Sequence, residues 1–222
     1  MKKLILLLVV ALTTTNIFAQ IPEKVTEIMK KCEEVMENPK GLETDMKLHV
    51  GVMVISVNGT MKLYSKGDLE RSSVKIKVLG MEMIEESGFD GEYEWEFKKA
   101  KEKSKKKGTE KDSLIISKPD KKKKGEYSVD LGMDKDYNKA TLKEKDNLYI
   151  ITFSDLKNPK DEDLPKKAII KINKNNYYLH EFEAKAKGAT MRLTATKYKI
   201  GVSDDVFKLD TNKYPDAVIV RK

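Results

Sequence analysis

The 222-residue chain contains one Cys, two His, one Trp and three Arg. Each scarcity excludes something. A lone Cys makes neither an internal disulfide nor a multi-thiolate zinc site. His49 and His180 each fall inside a strand pattern, where a structural or surface histidine is the expected role. Bidentate readout of bases needs Arg, and the chain has Arg71, Arg192 and Arg221 against 41 Lys. No nucleic-acid partner is expected, because the Lys runs also lack interleaved stacking aromatics. There is no G-x-S-x-G, no H-E-x-x-H, no Gly-rich phosphate loop and no Cys/His metal spacing. Asp161-Glu162-Asp163 and Asp204-Asp205 lack the ligand spacing of a calcium loop. No enzyme activity, metal or cofactor is therefore expected.

Long apolar runs are missing too, except at the start. Met1-Lys2-Lys3 is basic, Leu4 to Leu12 is unbroken and apolar, and Ile17-Phe18-Ala19 ends on a small residue. This order reads as a secretory signal peptide, residues 1–19, cut after Ala19. The run is too short to span a bilayer. A lipoprotein would need Cys directly after the cut, where Gln20 stands. The expected product is a free periplasmic domain, residues 20–222. Losing Lys2 and Lys3 lowers the formal charge from +8 to +6. Two neighbouring segments more than account for it: Lys98–Asp112 has eight Lys and three acids, and Lys118–Lys124 has five Lys and one acid.

Ile21, Val25, Ile28, Met29, Cys32, Val35 and Met36 recur at steps of three and four, which predicts an amphipathic helix over 21–37. Pro22 suits its first turn, and Asn38-Pro39 and Gly41 end it. Cys32 lies in the apolar stripe, as a buried inert thiol would. From Glu43 the period becomes two. Met46, Leu48, Val50, Val52 and Val54 alternate, and Asn58-Gly59 predicts a tight hairpin turn. That turn puts Val52, Val54, Met61 and Leu63 on one face and Met53, Ile55 and Tyr64 on the other. Further strand patterns run through Val74–Val78, Met81–Met83, Tyr93-Trp95-Phe97, Leu114–Ser117, Tyr127-Val129-Leu131, Leu148–Phe153, Ala168–Ile172, Tyr178–Ala184 and Met191–Ala195. The gaps are too short for helical crossovers, so the sheet should be antiparallel. The expected fold is mainly β with helices (α+β): one curved sheet or incomplete antiparallel barrel, with the N-terminal helix as a lid.

This layout resembles the LolA-type periplasmic lipoprotein-carrier family and its outer-membrane lipoprotein-sorting relatives. The resemblance lies in the leader, the amphipathic helix Ile21–Glu37, the long strand Met46–Val57, Phe89-Asp90-Gly91-Glu92-Tyr93-Glu94-Trp95-Glu96-Phe97, and Phe207-x-Leu-Asp followed by Tyr214-Pro215 and Val218–Val220. It implies an open barrel with an apolar cavity, and a monomeric carrier of acylated proteins from an inner-membrane transporter to an outer-membrane acceptor. Carriers of that family place an Arg early in the sheet that latches the lid. Lys47 and His49 stand in the early strand here, so that latch is not carried over.

On this reading Val52, Val54, Met61, Leu63, Met81, Met83 and Trp95 line the cavity, with Ile28, Met29 and Val35 beneath the lid. The Lys-rich excursion 98–124 offers Lys105, Lys106, Lys107, Lys121, Lys122, Lys123 and Lys124 for docking to a partner or anionic headgroups. The alternative is an envelope sensor or adaptor that uses the same open barrel to bind a protein or lipid. The leader gives a direct prediction. Secreted protein should begin at Gln20 by intact-mass analysis, and retention of residues 1–19 would refute cleavage.

Overall fold

A computed structural model describes residues 21–52, 55–78, 81–100, 111–119, 133–160, 164–186 and 188–222. The leader 1–19, Val54, Lys105–Lys107, Lys121–Lys124 and the Tyr127-Val129-Leu131 pattern lie outside the described residues, and the side chain of Met81 is likewise not described.

Helix α1 runs Glu23–Met36, with Pro22 at its N-cap. Its buried residues are Val25, Ile28, Met29, Cys32 and Met36, five of the seven positions of the sequence stripe. Glu27–Lys31 at 2.6 Å and Lys30–Glu34 at 3.9 Å pair on the wet side. Such fully exposed pairs are screened by water and add little, so packing holds the helix. After Met36 the Glu37 N–H donates to Glu33 O at 2.9 Å, and Gly41 turns the chain at φ +80°. Five residues separate α1 from the first strand, so the helix lies back on the sheet it precedes.

Twelve strands follow: β1 Leu42–Val52, β2 Ile55–Lys66, β3 Leu69–Val78, β4 Met81–Phe89, β5 Glu94–Lys98, β6 Ser113–Ser117, β7 Tyr137–Lys145, β8 Leu148–Leu156, β9 Lys167–Asn173, β10 Leu179–Ala186, β11 Ala189–Ile200 and β12 Val218–Arg221. A helical turn, α2 Met133–Asp136, precedes β7. All the strands belong to one curved, unclosed sheet in the order β12-β6-β5-β4-β3-β2-β1-β11-β10-β9-β8-β7. β12 alone pairs in parallel, on β6. The expectation of a mainly β, open antiparallel architecture with an N-terminal helix holds.

One local expectation fails. The chain does not reverse at Asn58-Gly59. Val52 pairs with Ile55, and β2 runs straight through Asn58 and Gly59, which face His49 and Leu48. Gly59 serves close packing instead: a Cβ there would lie 2.5 Å from the Lys75 carbonyl oxygen. Asn58 Oδ1 sits 2.8 Å from His49 Nδ1. Moving the turn carries Ile55 to the face of Val52, where the hairpin expectation set it opposite. Val52, Met61 and Leu63 still share a face.

The two faces have separate cores. On one, α1 packs over β7–β11 and β1, where Tyr137, Ile151, Phe153, Ile170 and Ile172 are fully enclosed with Val25, Cys32 and Leu42. On the other, Trp95, Phe97, Leu114 and Ile116 meet Tyr214, which stacks on Phe97 at 4.5 Å. The residues after β11 form this second cover, through 3₁₀ turns Asp204–Val206 and Thr211–Lys213. Phe207 is 1% exposed within it.

The first core supports two tests. Ile151→Ala should lower unfolding stability by about 2–5 kcal/mol in urea titration, through lost contacts and a residual cavity; a loss under about half a kcal/mol would mean that the core is loose. Burial pushes the Cys32 thiol up to about 12. Thiolate is the reactive form, so Cys32 should resist iodoacetamide at mildly alkaline pH in the folded protein and react once urea unfolds it. Rapid labelling of folded protein would contradict the packing.

Candidate apolar binding face

Register assigns every strand residue to one side of the sheet. On the α1 side, β1 presents Leu42, Thr44, Met46, Leu48, Val50 and Val52, and β2 continues with Ile55, Val57, Met61 and Leu63. Val74 and Ile76 follow on β3, opposite Met61 and Gly59, and Met83 on β4 is opposite Ile76. Helix α1 covers the β7–β11 half of this side. The β2–β4 half has no helix over it among the described residues. Its apolar side chains are half-buried by one another, and the hairpin end is open: Val52 is 43% exposed, Ile55 53% and Met191, opposite Val50, 36%. A contiguous apolar surface of this kind marks a place where something binds.

The same side becomes polar toward β5 and β6. Ser72 and Ser87 hydroxyls lie 2.8 Å apart. Glu70, Glu94 and Glu96 border a hollow of about 300 Å³ with Phe89 and Ile115. Burial raises the Glu70 carboxyl above the usual range. The half-face is thus graded, greasy at the Val52–Ile55 end and wet at the Glu70–Glu94 end.

The lining residues named from sequence divide into three groups. Val52, Met61, Leu63 and Met83 share the open half-face. Ile28 and Met29 are packed into the core under α1, and Val35 is half-buried on the helix. The hollow at the helix start, about 250 Å³ lined by Ile21, Val25, Met29 and Phe153 among others, is the space found there. Trp95 belongs to neither group. It faces Gly88 and lies on the opposite side of the sheet, 3% exposed, beneath the Arg71 guanidinium at 5.3 Å. Gly88 makes this fit: a Cβ there would lie 2.8 Å from the indole. Val50, Ile55, Val74, Ile76 and Met191 belong to the open face and were not singled out. Met191 joins it only because β11 pairs with β1, a partnership between distant parts of the chain that no local pattern announces.

On the opposite side Arg71 anchors the C-terminal cover. Its Nη2 lies 2.8 Å from Glu86 Oε2, and its Nη1 donates to Val206 O at 3.0 Å. The Tyr214 hydroxyl donates to the same Glu86 oxygen at 2.8 Å. Among the described residues no group of three His, Cys, Asp or Glu side chains is placed to hold a metal ion. No helix among them is long and apolar enough to cross a membrane.

No protein-family model matches the sequence, and no curated protein matches it. Solved structures do. An uncharacterized conserved protein from Thermus thermophilus matches at 12% identity and TM-score 0.52, over 90% of this chain and 100% of that one. A LolA superfamily protein from Nitrosomonas europaea matches at 12% identity and TM-score 0.36, over 83% of this chain and 97% of that one. LprF from Mycobacterium bovis matches at 9% identity and TM-score 0.47, over 83% and 97%.

The Arg71 anchor yields a test. Arg71→Ala leaves the Glu86 carboxylate, 19% exposed, without its cation. It should cost about 1–3 kcal/mol in urea unfolding, and Arg71→Lys should restore only part of that, since Lys lacks the fork. A neutral Arg71→Ala would show that the cover is held by apolar contacts alone. What the geometry and the Thermus match establish together is the fold: one open curved sheet, a helix across half of one side and a C-terminal cover on the other.

Proposed function

We propose that the protein is a periplasmic carrier that holds acyl chains of a lipoprotein or lipid on the open half-face of β1–β4 and delivers them toward the outer membrane. One observation carries the reading: a graded apolar face of Val52, Ile55, Met61, Leu63, Ile76 and Met83 that no helix covers among the described residues. An acyl chain of about fifteen carbons represents roughly 12 kcal/mol kept out of water, at ~0.8 per CH₂. Such a molecule does not diffuse freely between membranes. A carrier replaces the bilayer with protein surface and must still release its cargo. Flexible thioethers suit mobile chains, and Met61 and Met83 lie on the face. Among the described residues the space at the start of α1 is a hollow of about 250 Å³, small for such a chain, which favours the open half-face as the seat over a chamber between helix and sheet. An inner-membrane lipoprotein transporter and an outer-membrane acceptor would be the handoff partners, with Lys105–Lys107 and Lys121–Lys124 as docking charges.

The adaptor reading has its own support at the sheet edge. β12 is exposed along its length, with Val218 46%, Ile219 45% and Val220 39% accessible. An apolar edge strand invites an added strand from a partner.

Fluorescent fatty-acid titration separates the two. The secreted protein should bind saturably, and Leu63→Glu or Met83→Glu should weaken binding at least tenfold while the far-UV spectrum is kept. Trp95, on the other side, should report no quenching. Absence of binding, or binding unchanged in both variants, would overturn the carrier.

A further inference from the structure

On the side of the sheet away from α1, a hollow of about 750 Å³ lies between β1–β3 and the C-terminal cover. Its charge balance is uneven in a specific way. Every acid on its wall is already engaged. Asp45 pairs with Lys62 at 2.9 Å, Glu86 with Arg71 at 2.8 Å and Asp205 with Lys208 at 2.7 Å. Those pairs also occupy Lys62 and Arg71. Three further cations on the wall, Lys47, Lys75 and Lys213, have no carboxylate partner among the described residues. Their placement follows from register. Thr60 is opposite Lys47 on one side and Lys75 on the other, so the two lysines flank its hydroxyl in one row across three strands. Their Cα atoms are about 10 Å apart, twice the strand spacing, within reach of a common anion. Lys213 approaches from the cover, and Ser73 adds a second hydroxyl from β3.

We infer that this hollow binds a phosphoryl group, held by Lys47, Lys75 and Lys213 with the Thr60 and Ser73 hydroxyls. Three point charges without a free guanidinium fork match a multiply charged tetrahedral anion better than a planar carboxylate, for which the Arg fork is the fitted partner. The volume exceeds that of the ion, so the group is part of a larger polar molecule, either a soluble phosphate ester or a phospholipid headgroup. The site is on the opposite side of the sheet from the acyl face and stands independently of it.

The test is a ¹⁵N NMR titration of the secreted protein with inorganic phosphate, glycerol 3-phosphate and phosphatidylglycerol vesicles. Saturable shifts at the Thr60 and Ser73 amides are expected. Response to glycerol 3-phosphate assigns a soluble ester; response to vesicles alone assigns a headgroup. Lys47→Gln/Lys75→Gln and, separately, Lys213→Gln should each weaken binding at least tenfold. Lys145→Gln, on β7 at the far edge of the sheet, should leave the Kd within twofold. All three lysines are exposed, so melting temperature should not move. No saturable shift with any of the three probes, or an unchanged Kd in both lysine variants, overturns the inference.

Discussion

Among the described residues one long helix lies against a twelve-stranded sheet, and it cannot cover it. At 1.5 Å per residue, α1 is about 21 Å long and about 10 Å across. Twelve strands at roughly 4.8 Å spacing span about 55 Å before curvature. The sequence nevertheless continues apolar side chains along the α1 side from Phe153 on β8 to Met83 on β4. The mismatch between apolar area and available cover organises the molecule. Where α1 lies, packing is complete, with Ile151, Phe153 and Ile170 sealed from water. Where it does not, Val52, Ile55 and Met191 stay open. Leaving such a surface wet costs about 25 cal/mol for each Å² that burial would have removed from water, and a carrier surface is a reason for the cost to persist.

The sheet also keeps its chemistries apart. From β8 to β4 one side is mainly apolar, and a helix covers about half of that stretch. The other carries ion pairs and a row of exposed lysines, and is covered by a chain end that Arg71, Glu86 and Tyr214 pin in place. Strand alternation makes this segregation simple, because consecutive residues of one strand serve opposite sides. Lys62 between Met61 and Leu63 shows it: the ammonium meets Glu43 and Asp45 at 2.7 and 2.9 Å, while its neighbours belong to the greasy side.

Much of this was legible in sequence. The helix was, because its apolar steps are strong and its ends are marked by Pro22 and Asn38-Pro39. Within the Phe89–Phe97 segment that carries the family resemblance, the chain turns at Asp90-Gly91, with Gly91 at φ +98° and Asp90 Oδ1 accepting from Glu92 and Tyr93 N–H groups. What was illegible depended on distant partners. β7 escaped notice because Tyr137, Ala140 and Leu142 stand among Lys and Glu, as an edge strand tolerates. Asn58-Gly59 misled because a good turn sequence yields to long pairing of β1 with β2, in which Gly59 is needed for close packing with β3. Trp95 was expected in the cavity lining beside Met61 and Met83 and lies on the opposite side of the sheet, where Gly88 across the strand pair leaves room for the indole. The half-face emerged only in part, since pairing of β1 with β11 is needed to bring Met191 beside Val50.

Methionine methyl groups offer the most direct view of the central claim. With ¹³C-methyl methionine in the secreted protein, a spin-labelled fatty acid should broaden Met61, Met83 and Met191 on the uncovered half-face and spare Met29 and Met36 beneath α1. Broadening confined to Met29 and Met36, or none anywhere at saturating fatty acid, would contradict an acyl seat on this face.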